Sequence, residues 1–285
     1  MDDAPAKRIM TVPRASRGVR SPIVTGNEWI ALPDIAPEDA SIGSVNLLHM
    51  ASKSLIELLG PQPELGRDRY GEAAASPLLL PTLAGRPLQD LEWTYGACWI
   101  PRARCSINLE CQRSADAADA AEAIAASADV TVTVCAPVGE RGFMVSFEIT
   151  ADVRNPVPVD FQPGLEGAFG AVCSTVFSRR ALGAERHVYY SSWTNSLVLE
   201  ARTASGSLAA LAVGAGSDME WAADEGAGTF TLTCSAVAKP GETVSATFWV
   251  SANAEPDGAA TTNVHLRRIG AQAALRSTTE WLRAR

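Results

Sequence analysis

Between residues 91 and 253 the chain keeps returning to strict alternation. Residues 91–99, LEWTYGACW, put Leu91, Trp93, Tyr95, Ala97 and Trp99 on one side of an extended segment. Residues 105–111 repeat the pattern with Cys105, Ile107, Leu109 and Cys111. Residues 129–137 do so with Val130, Val132 and Val134 against Thr131 and Thr133. In residues 141–150 the two faces are Phe143, Val145, Phe147 and Ile149 against Met144, Ser146, Glu148 and Thr150. HVYYSSW, SLVLEART, SLAALAVGA, DMEWAA, GTFTLTCSA and TVSATFWVSA continue in the same style. A period of two turns one face to a core and the other to solvent or a second layer. Many such runs, parted by Gly, Pro, Asn and Asp turns, predict an all-β fold of antiparallel sheets rather than βαβ units.

Helical signals are few. Residues 45–59, VNLLHMASKSLIELL, gather Leu47, Leu48, Leu55, Leu58 and Leu59 within one broad helical face, and Gly60-Pro61 supplies a stop. This spacing predicts a helix. Residues 114–129, almost pure Ala, Asp and Ser, read as either a short exposed helix or an acidic surface insertion. Glu255-Pro256-Asp257-Gly258 ends the last strand, and a terminal helix follows with a loose apolar stripe at Leu266, Ile269, Ala273, Leu275 and Leu282. Residues 1–20 read as a mobile leader, 21–255 as the β domain and 256–285 as the helix. Thr25-Gly26-Asn27 reads as a turn, residues 60–76 as a loop and residues 138–142, VGERG, as a hairpin loop. No repeat of fixed period is present, which argues against a propeller or solenoid.

Composition adds little except in its charge. The 285 residues carry a net charge of −8, which disfavours a phosphate-binding surface overall. Residues 256–285 run the other way: five arginines against Asp257 and Glu280 give them +3. Cations at a helix C-terminus suit its dipole and account for Arg283 and Arg285, but not for Arg267 and Arg268 near the start. The N-terminal residues lack the apolar stretch of a signal peptide, and no uninterrupted apolar run is long enough for a membrane span. Of the six cysteines none forms a CxxC pair, and several alternate with apolar residues as buried thiols do. The expectation is a reduced, cytoplasmic protein.

Chemistry is sparse. His49, His187 and His265 are the only histidines, and no two have metal-ligand spacing, so neither a metal nor a cofactor is expected. GxSxG is absent, and Gly214-Ala215-Gly216 and Gly226-Ala227-Gly228 complete no phosphate-binding loop. Glu148 and Glu200, like most of the strand carboxylates, read as solvated surface, and no catalytic pair is assigned. Trp93, Tyr95 and Trp99 share a face if their strand is regular, whereas a bulge at Gly96 would break that register. They are the candidate carbohydrate-binding residues, weighed against the commoner role of filling a core. Trp193 beside Tyr189 and Tyr190 calls for the same weighing.

The order of segments GNEWIAL, WTYGACWIPRARC, CAPVGERGFMVSFEITADVRNPVPVDF and TTEWLRAR resembles a known domain. It is similar to the N-terminal β-supersandwich of glycoside hydrolases and phosphorylases whose catalytic part is an (α/α)6 barrel, glucoamylase-like and amylo-α-1,6-glucosidase-like enzymes among them. The resemblance implies a large antiparallel two-sheet β-supersandwich with a C-terminal linker-type helix. It also implies that the catalytic carboxylates belong to a barrel domain or subunit outside this sequence. Leu266, Ile269, Ala273 and Leu282 would then form the partner interface and stand exposed in the isolated chain. Two alternatives remain open: a free-standing mutarotase-like sugar enzyme using His187 with a nearby Glu, and a glycan-binding module.

Overall fold

The computed structural model describes residues 10–11, 22–49, 54–61, 77–95, 99–112, 123–174, 180–181 and 184–284. Its largest sheet has nine strands, in the order β1 (Met10–Thr11), β8 (Glu92–Tyr95), β9 (Pro101–Gln112), β10 (Ala123–Cys135), β11 (Gly142–Ala151), β22 (Thr243–Asn253), β18 (Gly206–Ala215), β17 (Ser196–Thr203) and β16 (Glu185–Ser191). A six-stranded sheet runs β15 (Arg180–Ala181), β14 (Ala171–Ser174), β5 (Ser54–Leu59), β4 (Ser44–His49), β3 (Ile30–Ile35), β2 (Ile23–Gly26). A five-stranded sheet runs β19 (Glu220–Asp224), β20 (Thr229–Thr233), β13 (Pro163–Ala168), β6 (Leu79–Leu83), β7 (Arg86–Pro87). β12 (Val159–Asp160) and β21 (Val237–Ala238) pair with each other alone. Every strand pairing among the described residues is antiparallel.

The sheets stack as a sandwich around one core. Single bridges from Ile42 to Ile35 and to Leu79 link the six- and five-stranded sheets into one layer. Against it lie the inward faces of the nine-stranded sheet, so that Leu32, Leu58, Leu165 and Leu232 share a buried cluster with Val132, Phe147, Leu199 and Phe248. The alternation read from the sequence is what makes this possible, because each inward residue is followed by one that points away.

The outward face of the nine-stranded sheet is not left to solvent at its centre. Two helices cover it, α1 (Pro256–Ile269) and α2 (Ala271–Arg283). Ala259 and Ala260 of α1 pack on Val198, Ala210 and Ala212, small side chains that let the helix approach closely. The buried Asn263 amide donates to the carbonyls of Ala212 (2.9 Å) and Trp249 (2.7 Å), fixing α1 across two strands. Leu266 fills a pocket formed with Ile100, Cys135, Met144, Trp249 and Ala274. This covering explains why Met144 and Trp249 are buried although they alternate with core residues.

Several expectations are corrected. Of the helix expected over residues 45–59, residues 45–49 and 54–59 instead belong to β4 and β5, paired with each other in register Val45–Leu58 and Leu47–Ile56, while 50–53 lie outside the described residues. Apolar doublets satisfy a helical and an extended template alike, and here the flanking strands β3 and β14 settle the matter by pairing on either side. The terminal helix is two helices, broken at Gly270, whose φ of 79° no right-handed helix continues through. Within the Ala-rich segment, residues 123–129 belong to β10, while 114–122 lie outside the described residues. In the leader, Met10–Thr11 pair with β8, and the rest of 1–20 lies outside the described residues, as do Gly96 and residues 62–76.

Candidate functional site

The three aromatic candidates do not share one exposed face. Trp93 is buried, and its indole N–H donates to the carbonyl of Pro37 at 2.8 Å, so it takes the core role. Tyr95 is half-buried against the same core. Trp99 is 69% exposed and meets Tyr95 edge-on, with ring centroids 5.9 Å apart. The helix stripe divides as well. Leu266 is fully buried within the chain's own core, contrary to the expected exposure, and Ile269 packs beside it. Ala273 is exposed and Leu282 half-exposed. The reason is the break at Gly270, which gives α1 and α2 different inward faces.

Glu200 also departs from expectation. It is buried, 3.7 Å from the Arg202 guanidinium, and lies opposite His187 in the pairing of β16 with β17. Glu148 is exposed, as expected.

The structure instead gathers functional groups along a seam between β16 and β19, the edge strands of two different sheets. His187 Nδ1 lies 3.0 Å from Oε1 of Glu225, in the turn after β19. An ionised carboxylate only accepts, so this contact places the imidazole proton on Nδ1 and leaves Nε2 as the acceptor of the neutral ring. Nε2 stands 3.9 Å from Oε2 of Glu185. These three side chains and Arg186 line a pocket of about 380 Å³ floored by Gly226 and Gly228. Arg186 is held from behind by the carbonyls of Phe169 and Gly170, at 3.3 and 2.8 Å. Such an arrangement can take up and release a proton and can accept hydrogen bonds from hydroxyl groups.

Further along the same seam Tyr190 and Trp221 stack nearly flat, 4.4 Å between centroids and 13° between planes. The Tyr190 hydroxyl donates to Oδ1 of Asn195 at 2.5 Å, which holds the ring in place. Trp193, in the β16–β17 turn, is 76% exposed. Sequence reasoning singled out His187 and Tyr190 but not Glu225 or Trp221. The acidic turn closing DMEWAADEG was the one available sign, and nothing in it points to a histidine 38 residues away.

The hairpin loop VGERG is a second gathering point. Asn27 donates to the carbonyls of Pro137 and Glu140 at 2.5 and 2.8 Å, and the Gly139 N–H donates to Glu28 at 2.8 Å. Arg141 lies 4.5 Å from the centre of the Trp29 ring. His265 of α1 approaches Glu140 at 3.3 Å, and the Val138 N–H donates to the Thr278 hydroxyl of α2 at 3.3 Å. Both helices and the β2–β3 turn are thereby tied to one loop.

Cys105, Cys135, Cys173 and Cys234 are buried free thiols. Burial pushes Cys105 up to about 11 and Cys135 up to about 12. Among the described residues no three of His, Cys, Asp and Glu gather as a metal site, and no helix is long and apolar enough to cross a membrane.

In sequence, no family model and no curated protein matches the chain. Among solved structures, it is similar to a protein assigned as a kojibiose phosphorylase from the human microbiome, with a TM-score of 0.56 and 9% identity over 93% of this chain and 36% of that one. The chain thus spans about 36% of that protein's length. An aldose 1-epimerase of Escherichia coli K12 overlaps 81% of this chain and 98% of its own at a TM-score of 0.43 and 9% identity, too loosely to carry an argument. The likeness is one of fold: an all-β, sandwich-like architecture.

Proposed function

We propose that the chain is a β-supersandwich module of a carbohydrate-active enzyme and packs against an (α/α)6-barrel catalytic domain or subunit. The observation that carries this reading is the overlay of nearly the whole chain on about a third of a sugar phosphorylase. Fold analogy of this kind raises the prior without naming a substrate. The buried Leu266 moves the proposed docking face from the predicted stripe to the outer side of α2, where Ala273, Arg276, Glu280, Trp281 and Arg283 are exposed. That face is cationic on a chain of net charge −8, which favours an acidic patch on the partner. The test is recovery of the tagged chain from its native host with mass spectrometry of what remains bound. A barrel-type glycosidase or phosphorylase is expected in equal amount, and Arg276→Glu is expected to release it without changing the melting temperature. A pure, monodisperse chain with no such companion sinks the reading.

One observation favours a second reading, a free-standing sugar enzyme of the mutarotase-like kind: His187 and Glu225 meet in a pocket. Because they hydrogen-bond to each other they form one acid–base unit, and Glu185 is the second group that such chemistry requires. On this reading the chain speeds interconversion of glucose anomers, and His187→Ala lowers the rate at least ~100-fold, within the range general acid–base catalysis supplies. Polarimetry showing no rate above buffer rules it out.

A further inference from the structure

The exposed tryptophans are not scattered over the surface. Cys135 pairs with Met144, Met144 with Trp249 and Trp249 with Gly214, a row across the nine-stranded sheet. Ile100 packs into the row at one side, and the pairs Leu197–Val213 and Ser191–Ser196 carry it on within one residue at the other. This row marks one end of the sheet. Trp99 stands just beyond it before β9, and Trp193 just beyond it in the β16–β17 turn. Trp221 stacks on Tyr190, the neighbour of Ser191. α2 leads to the same end: Ala274 packs in the row's cluster, the Val138 N–H past the row donates to Thr278, and Trp281 follows within one turn. The remaining tryptophans are Trp93 and Trp249, both buried, and Trp29, half-buried. Every exposed tryptophan therefore lies at one end of the sheet.

A single apolar residue on a surface is ordinary. What sets Trp99 and Trp193 apart is how firmly the fold holds them out. Trp99 has a φ of 64°, in the left-handed region that bulky side chains seldom enter, and Tyr95 supports its ring edge-on. Such conformations persist where the surroundings impose them, and they gather at binding surfaces. In the β16–β17 turn the buried Thr194 hydroxyl donates to that of Ser191 and meets that of Ser196, both at 2.8 Å. Arg267 of α1 donates to the Thr194 carbonyl, and Tyr190 donates to Asn195. Trp193 thus projects from a pinned turn and loses little freedom when covered. Tryptophan is among the residues enriched at interface anchors.

Distance decides what covers them. From β9 to β17 the row crosses five strand spacings, about 24 Å at ~4.8 Å each. A small sugar seats its rings in one cleft, whereas a standard protein interface covers ~800 Å² on each side, a disc roughly 32 Å across. We propose that this end of the nine-stranded sheet is the docking end, where the (α/α)6-barrel domain or subunit covers Trp99 and Trp193 as its outer anchors together with α2. The inference rests on the carbohydrate-module reading and extends the partner's footprint from α2 onto the loops beside it.

The experiment compares hydroxyl-radical footprints of the full chain alone and in the complex recovered from its native host, read by mass spectrometry at each tryptophan. Oxidation of Trp99 and Trp193 is expected to fall at least five-fold in the complex. Trp99→Ser combined with Trp193→Ser is expected to cut recovery of the barrel enzyme ten-fold or more at an unchanged melting temperature. Val153→Ser, at an exposed site of the opposite end, is expected to leave recovery unchanged. The footprint needs no substitution, so it stands whether or not the variants fold. Unchanged oxidation of both tryptophans in a complex that holds a barrel enzyme defeats the docking end alone. So does loss of dimerisation by the double variant in sedimentation, or loss of maltotetraose binding in a fluorescence titration, since the row then belongs to a second copy or to a sugar. Recovery of no barrel enzyme by the wild-type chain defeats the module reading and this inference with it.

Discussion

Cys135 shows how one atom reports on the packing around it. Its thiol sits beneath both helices beside Leu266 and Ala274, and burial is the largest cause that raises it from 9.0 to about 12, while a hydrogen bond from Thr278 and the charge of Arg102 pull the other way. The unfolded chain ionises near 9, so the folded state keeps its full advantage below that pH. The unfolding free energy is expected to fall as pH rises from 9 toward 12 and to fall less in Cys135→Ala, measured by urea titration at several pH values. At pH 8 the thiol is expected to resist maleimide in the native protein and to react once urea is added. The neighbouring lesson is Glu200, which looks like any outward carboxylate in SLVLEART and is nevertheless buried beside Arg202.

At the scale of elements, the VGERG loop explains its own spelling. Gly139 turns the chain at a φ of 85°, which favours glycine. Gly142 has no room for a side chain: an added Cβ would stand 2.5 Å from Leu266 and 2.6 Å from the Val250 carbonyl. Gly142→Ala is therefore expected to push α1 away from the sheet and destabilise the chain by about 1–3 kcal/mol, seen as a lower denaturation midpoint. Strands such as β10, β11 and β22 were legible because their alternation is long and their faces differ. β4 and β5 were not, since their leucine doublets fit two periodicities and only the neighbouring strands decide between them. The terminal stripe was legible as amphipathic, but a stripe does not say which surface covers it. That surface was this chain's own Met144 and Trp249. The seam was illegible for a different reason: His187 and Glu225 meet only because β16 and β19 end two separate sheets.

For the whole molecule, the order of strands in the nine-stranded sheet matters most. β1, β8, β9, β10 and β11 form one ladder, β18, β17 and β16 another, and β22 is the strand that joins them, pairing with β11 on one side and β18 on the other. β22 is also the last strand in the sequence, and α1, which locks it to β18, comes after it. Synthesis runs from the N-terminus at roughly 5–20 residues per second, so the two ladders exist for a time before the strand that unites them. During that interval β11 and β18 each offer a row of unpaired backbone groups, the kind of edge that recruits other chains. A version ending at residue 242 is expected to collect as insoluble, β-rich material, whereas the same version supplied with a peptide of residues 243–269 during refolding is expected to stay soluble, as sedimentation would show. The nascent chain is therefore expected to be most prone to aggregation just before β22 and α1 emerge, and those two elements then shield the very edges they close.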